Sequence, residues 1–132
     1  MNDTNIKKEV ASKMRTDING IIADIAKKIE TEGRETIFAC FEHTDSIGLG
    51  IDGADVWLAL DSQQDKQDGD DWGWRSTARL EVYYGDGKYM ELEAAETVSG
   101  DDFEADPTVL SDVERIVYDK LLDEFFVLAR RS

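Results

Sequence analysis

Apolar residues recur at intervals of three and four along the first part of the chain. They are Ile6, Val10, Met14, Ile18, Ile21, Ile22, Ile25 and Ile29. Because this spacing places them on one helical face, the pattern predicts an amphipathic helix over residues 4–32. Gly33 stands at a position where glycine commonly ends a helix. The narrow apolar face predicts that this helix packs on a sheet or on another helix.

Segments with strand character follow in the middle of the chain. Residues 35–42 carry aromatic and β-branched side chains on both faces, which is typical of a buried strand. Residues 54–61 place apolar side chains on one side and predict a second strand, and the alternation over 47–51 allows a further short one. Residues 61–71 are polar and predict a loop.

The clearest unit is a hairpin near the centre of the chain. Residues 75–84 and 88–97 alternate between apolar and polar side chains, and a Gly-Asp-Gly turn at 85–87 separates them. A final helix is predicted over residues 108–130, because Asp-Pro at 106–107 suits a helix start and an apolar stripe follows.

These elements predict an α+β fold in the order α-β-β-β-β-α. The simplest arrangement is a four-stranded, mostly antiparallel β-meander, flanked by a long N-terminal helix and a C-terminal helix. Such a sheet can leave one face exposed to solvent. A chain of 132 residues fits a single domain over residues 1–132.

The net negative charge of the chain arises entirely from its middle part. The formal net charge is −15, and residues 42–112 hold nineteen acids against four bases. Residues 1–41 hold seven acids and seven bases, and residues 113–132 hold four of each. A neutral framework with one anionic region repels nucleic acid and anionic membranes and attracts basic protein surfaces. Direct binding to nucleic-acid phosphates is disfavoured, because it calls for basic patches.

The predicted meander brings two acidic connections to the same end of the sheet. The loop 61–74 and the connection 99–106 both leave at that end, and Lys66 is the only base within 61–71 and 99–106. We call this end the anionic pole. Its carboxylates are Asp61, Asp65, Asp68, Asp70, Asp71, Asp101, Asp102, Glu104 and Asp106.

The anionic pole has three interpretations. The first is solvated loops, because aspartate and glycine favour turns and charge runs usually lie in water. The second is a docking surface for a basic partner, in which carboxylates imitate a row of phosphates. Trp72 and Trp74 would anchor that partner, or else fold back to close the core. The carboxylates proposed for docking are Asp65, Asp68, Asp70, Asp71, Asp101, Asp102 and Glu104. The third is a calcium site at 65–71, but the ligand spacing of an EF-hand is not met, so no metal or cofactor is predicted.

Single residues give little support for catalysis. Cys40 lacks a partner for an internal disulfide and is expected to be a buried hydrophobe. His43 is the only histidine, with Asp45 nearby to orient it, and a surface histidine is the simpler interpretation. Neither a phosphate-binding nor a hydrolase motif is present, so an enzyme is not predicted.

Two further features concern packing and partners. Tyr118, Leu122 and Phe126 form a ridge beside the main stripe of the final helix, which the first helix covers or a homodimer or partner buries. Arg75 and Arg79 share a strand face with glutamates and are expected to form cross-strand ion pairs.

The predicted function is that of a non-enzymatic acidic inhibitor that engages a basic, nucleic-acid-binding partner as a nucleic-acid mimic. Anti-restriction, anti-CRISPR and nuclease-immunity proteins act in this general way, and the analogy rests on charge and size alone. One alternative is an acidic secretion-type chaperone that binds client segments through the ridge at Tyr118. Another is a small enzyme or ligand-binding domain that uses His43. A cytoplasmic location is expected, because neither a signal peptide nor a run of about 18 apolar residues is present.

Overall fold

The chain folds into one antiparallel sheet with helices before and after it. The structure is a computed structural model that describes residues 14–66 and 72–131. Its strands pair in the order β1-β2-β3-β4, which confirms the predicted α+β meander with a helix at each end. Its elements are α1 (Ile18–Glu32), α2 (Arg34–Cys40), β1 (Ser46–Leu49), β2 (Asp55–Lys66), β3 (Trp72–Tyr84), β4 (Lys88–Ser99), α3 (Gly100–Ala105) and α4 (Val109–Arg131).

One face of the sheet carries the core. Alternate residues of β2 and β3 turn towards α1 and α4, as the period of two along a strand requires. The main buried residues are Val56, Leu58, Leu60, Ala78, Leu80 and Val82 from the sheet, and Ile21, Ile25, Ile29, Val117, Leu121, Leu122 and Phe125 from the helices. The helix predicted over 4–32 is wrong for residues 14–17, because the helix begins only at Ile18, after Asp17 in a non-helical conformation; residues 4–13 lie outside the described residues.

The strand predicted over 35–42 is wrong, because this segment forms helix α2. The apolar residues of this segment also recur at intervals of three and four, and Ile37 is 4% exposed in the core. Phe38 lies one position further along and contacts Tyr118 at 5.0 Å between ring centroids. Packing against α4 therefore decides the conformation of a short apolar run that periodicity leaves ambiguous.

The first strand of the meander is instead β1, which overlaps the segment 47–51 where a further short strand was allowed. Strands β2 and β3 are longer than predicted, and most of the loop expected over 61–71 continues the β2–β3 ladder. The hydroxyls of Ser62 and Ser76 share a hydrogen bond of 2.7 Å in this extension. Polar side chains stay in the ladder because the backbone supplies its hydrogen bonds.

The predicted hairpin and final helix are confirmed as β3–β4 and α4. Helix α3 was not predicted, and it begins where the Ser99 hydroxyl accepts a hydrogen bond from the Asp102 amide at 3.2 Å. The prediction of a buried thiol at Cys40 is also wrong. Cys40 is exposed at the end of α2, and its Sγ donates to the Thr36 carbonyl oxygen at 3.4 Å.

Candidate functional site

The strand register fixes which connections share an end of the sheet. Asp65 lies opposite Gly73, and Gly73 lies opposite Ser99, so β2 and β4 both finish at the same end of the sheet. Helix α3 starts directly after Ser99. The end of β2, the start of β3 and α3 therefore lie at the same end of the sheet, the anionic pole.

The placement of Asp61 at the pole is wrong, because Asp61 lies opposite Thr77 in the middle of the β2–β3 ladder, whereas Asp106 is exposed directly after α3. Asp68, Asp70 and Asp71 lie outside the described residues. Asp65 is half-buried at the end of β2, and the carboxylates of α3 are exposed: Asp101, Asp102 and Glu104. Their role in binding stays a prediction.

Helix α3 is held against the sheet by aromatic contacts. The Phe103 ring lies 6.2 Å from the Trp72 ring and 5.4 Å from the Trp74 ring, measured between centroids. Trp72 also covers Gly100, because a Cβ built there would lie 2.6 Å from the indole Nε1. Both tryptophans are half-buried and contact Phe103 of their own chain, and their role as partner anchors stays a prediction. They fix the position of the α3 carboxylates.

The face of the sheet opposite the helices, which we call the open face, exposes three rings that sequence reasoning missed. Trp57 is 38% exposed, Tyr83 42% and Tyr89 48%, and we call these three residues the aromatic patch. A signal for them was present, because Trp57 stands between the core residues Val56 and Leu58 and must point the other way.

Contacts on the open face hold these rings in place. Tyr83 lies opposite Tyr89, and their ring centroids are 4.8 Å apart. The Tyr83 hydroxyl donates to Glu81 at 3.3 Å. The Trp57 ring covers Gly48, where a Cβ would lie 3.5 Å from it.

Two glutamates face each other beside the aromatic patch. Glu81 lies opposite Glu91 in the β3–β4 register and opposite Trp57 in the β2–β3 register. Neither glutamate forms an ion pair with any residue that the structure describes. Burial by neighbouring groups, hydrogen bonding to Glu91 and the charge of both glutamates raise the pKa of Tyr89 to about 12. Like charges placed directly opposite each other weaken a sheet.

Arginines on the same face do not neutralise these glutamates. The predicted cross-strand ion pairs of Arg75 and Arg79 are absent within residues 14–66 and 72–131, although Arg79 lies opposite Glu93. Both arginines are exposed beside Thr77 at a shallow cavity of about 220 Å³. Strand pairing alone therefore does not bring the charged groups into contact.

The ridge on the final helix is mostly covered within the domain. Tyr118 is 1% exposed and Leu122 is fully buried, while Phe126 is half-buried. The Tyr118 hydroxyl donates to the Arg34 carbonyl at 2.8 Å, and the Arg34 guanidinium lies 5.5 Å from the Phe126 ring centroid. Helix α2, and not α1 alone, supplies this cover. A homodimer or client contact through the ridge stays a prediction, and two of its three residues are inaccessible in this conformation.

The other candidate sites, a site at His43 and a metal site, are not supported by contacts within the described residues. His43 and Asp45 are exposed, and the imidazole makes no hydrogen bond to the described part of the chain. Within residues 14–66 and 72–131, no three histidine, cysteine or carboxylate side chains are grouped to hold a metal ion. Of the helices in those ranges, none has both the length and the apolar content to cross a bilayer.

Comparisons with protein-family models, curated proteins and solved structures found no match. The fold and the placement of charge are therefore the grounds for a functional proposal.

Proposed function

We propose that this protein is a non-enzymatic acidic binding protein that uses the anionic pole to cover the basic, nucleic-acid-binding surface of a partner protein. The observation that carries the proposal is the packing of Phe103 on Trp72 and Trp74. It holds exposed carboxylates of α3 at the end of the sheet where β2 ends and β3 begins.

Rigid placement matters because a nucleic-acid groove recognises a row of negative charges. Phosphate contacts provide most of the electrostatic affinity of such grooves, and they weaken steeply with salt. Carboxylates fixed on a folded surface can occupy the same cationic positions and exclude the nucleic acid. Anti-restriction, anti-CRISPR and nuclease-immunity proteins act in this general way, and inhibition of that kind is the form we propose.

A charge reversal at the pole tests the proposal directly. The double variant Asp101→Lys/Glu104→Lys leaves in place Asp102, whose amide donates to the Ser99 hydroxyl that caps α3. The matched control is Glu30→Lys/Glu124→Lys, since both residues are exposed on the neutral framework and neither has an ion pair within the described ranges. Both variants change the net charge by the same amount.

The probe is a fluorescein-labelled oligolysine of about twelve residues, whose dissociation constant is measured by anisotropy at low and moderate salt. We expect the pole variant to bind about tenfold more weakly than the control, and the difference to shrink as salt rises. Wild-type protein should also release a DNA duplex from oligolysine, and the pole variant should do so poorly. Equal affinities for the two variants would contradict the proposal.

A further inference from the structure

We propose that the open face carries a second binding surface, on which the aromatic patch and the Glu81–Glu91 pair receive an arginine- or lysine-bearing segment of a protein partner. The inference rests on the proposed function only for the sign of the partner's charge. The surface itself is distinct from the anionic pole. Tyr83 and Gly73 are ten residues apart on β3, which separates them by about 33 Å at the rise of a strand.

Exposure of the three rings is the first step of the argument. Trp57, Tyr83 and Tyr89 are 38–48% exposed on three adjacent strands, whereas α1 and α4 cover the opposite face. Tyrosine and tryptophan are enriched at the centres of protein interfaces and carry much of the binding energy there. A row of such rings on an uncovered sheet face is therefore typical of a contact surface.

Charge complementarity identifies the occupant. Glu81 and Glu91 lie side by side in the row next to the two tyrosines, without an ion pair in the described ranges. Asp55 lies opposite Tyr83 and adds a further carboxylate. A cation placed here relieves the repulsion between the glutamates and lies within reach of an aromatic ring face, where cation–π attraction adds to the pairing.

The surface is also organised before binding. The Tyr83 ring contacts the Tyr89 ring, and the Tyr83 hydroxyl donates to Glu81. The Trp57 ring lies over Gly48, near enough that a Cβ built there would touch the ring at 3.5 Å. Rings already held in one arrangement lose little conformational entropy when a partner arrives, so more of the contact energy remains as affinity.

The test uses an acetylated, amidated peptide of about twelve residues that alternates arginine and threonine, and a matched peptide with citrulline in place of arginine. Citrulline keeps the planar shape of the side chain and removes its charge. Dissociation constants are measured by anisotropy, and the contact surface is mapped from amide and indole NMR shifts of the wild-type protein. We expect shifts at the Trp57 indole and on β3 and β4, and at least about tenfold weaker binding of the citrulline peptide.

Variants separate the rings from general electrostatics. Trp57→Ala/Tyr89→Ala should weaken binding of the arginine peptide by about tenfold. The control Ile116→Ala/Val127→Ala, at two exposed apolar positions of α4, should stay within about twofold of wild type. Glu81→Gln/Glu91→Gln preserves the side-chain shapes and should also weaken binding, which keeps the test decisive if the aromatic variant unfolds.

Three results would overturn the inference: unchanged affinity of both patch variants, equal binding of the citrulline peptide, or NMR shifts confined to α3. The pole variant Asp101→Lys/Glu104→Lys is measured with the same peptide. If the patch variants lose binding of this peptide and the pole variant does not weaken oligolysine binding, the second surface stands and the proposed function fails. If the patch variants keep binding of this peptide and the pole variant weakens oligolysine binding, the second surface is rejected and the proposed function stands.

Discussion

The Tyr118 hydroxyl ties α4 to α2 and offers a sharp test of the fold. The side chain is 1% exposed, and its hydroxyl donates to the Arg34 carbonyl oxygen at 2.8 Å. Tyr118→Phe removes this hydrogen bond and keeps the ring that contacts Phe38. We expect the free energy of unfolding to fall by about 1 kcal/mol near pH 7, the net contribution of one buried hydrogen bond.

The same hydroxyl makes wild-type stability depend on alkaline pH. Burial raises the pKa of Tyr118 to about 12 from an ordinary 10.0, against the opposing effect of the nearby Arg115 and Arg34 charges. The unfolded chain therefore ionises this group from pH 10, while the folded chain keeps the proton until about pH 12. Wild type should lose roughly 1.4 kcal/mol from this group by pH 11. The variant has no such loss, so the two free energies of unfolding should converge near pH 11.

Urea unfolding followed by far-UV circular dichroism, at several pH values between about 7 and 11, measures both effects. Tyr84→Phe is the control, because Tyr84 is half-buried and its hydroxyl has no hydrogen bond to the described ranges. Its effect near pH 7 should stay below about 0.5 kcal/mol. Equal free energies of unfolding for wild type and Tyr118→Phe at neutral pH would refute the reasoning. So would a difference between them that stays constant up to about pH 11.

Two further predictions concern the sheet and its charge. Gly73→Ala should lower the free energy of unfolding in urea by roughly 2–3 kcal/mol, because its Cβ would collide with the Val98 carbonyl oxygen of the paired strand. Gly50→Ala should change stability little, because no described residue beyond its chain neighbours lies within 4 Å of a Cβ built there. Adding salt up to about 0.3 M should raise the free energy of unfolding by about 1 kcal/mol, since screening reduces the self-repulsion of a chain with net charge −15. A fall in stability with salt would mean that ion pairs outweigh repulsion.

Most of the fold was predictable because its elements follow local patterns. The β3–β4 hairpin combines a period of two with a glycine-flanked turn, and α4 shows a full apolar stripe. Helix α2 was missed for a physical reason. It has seven residues, too few for a stable helix alone, and its stabilising contact is with Tyr118, 84 residues away from Arg34.

The site was predicted less well, because proximity to acidic residues along the chain is a weaker guide to the exposure of a ring than strand alternation. Trp74 is in phase with the core residues Ala78 and Leu80, whereas Trp57 and Tyr83 are out of phase with their core neighbours. Alternation alone thus separates inward rings from outward ones. Proximity of Trp74 to acidic residues along the chain favoured it as an anchor, yet Phe103, which covers it, comes from an unpredicted helix.

The ion pairs explain how a chain with so large a net charge keeps its acids available. Arg15, Arg34 and Arg115 each bridge two carboxylates, and all of those carboxylates belong to the neutral terminal segments. Among the acids of 42–112 that the structure describes, Glu96 alone has an ion pair, with Lys120. The bases of the framework thus neutralise the acids of the framework. A basic partner would meet sheet and pole carboxylates for which almost no internal cation competes, so its own cations supply the missing charge.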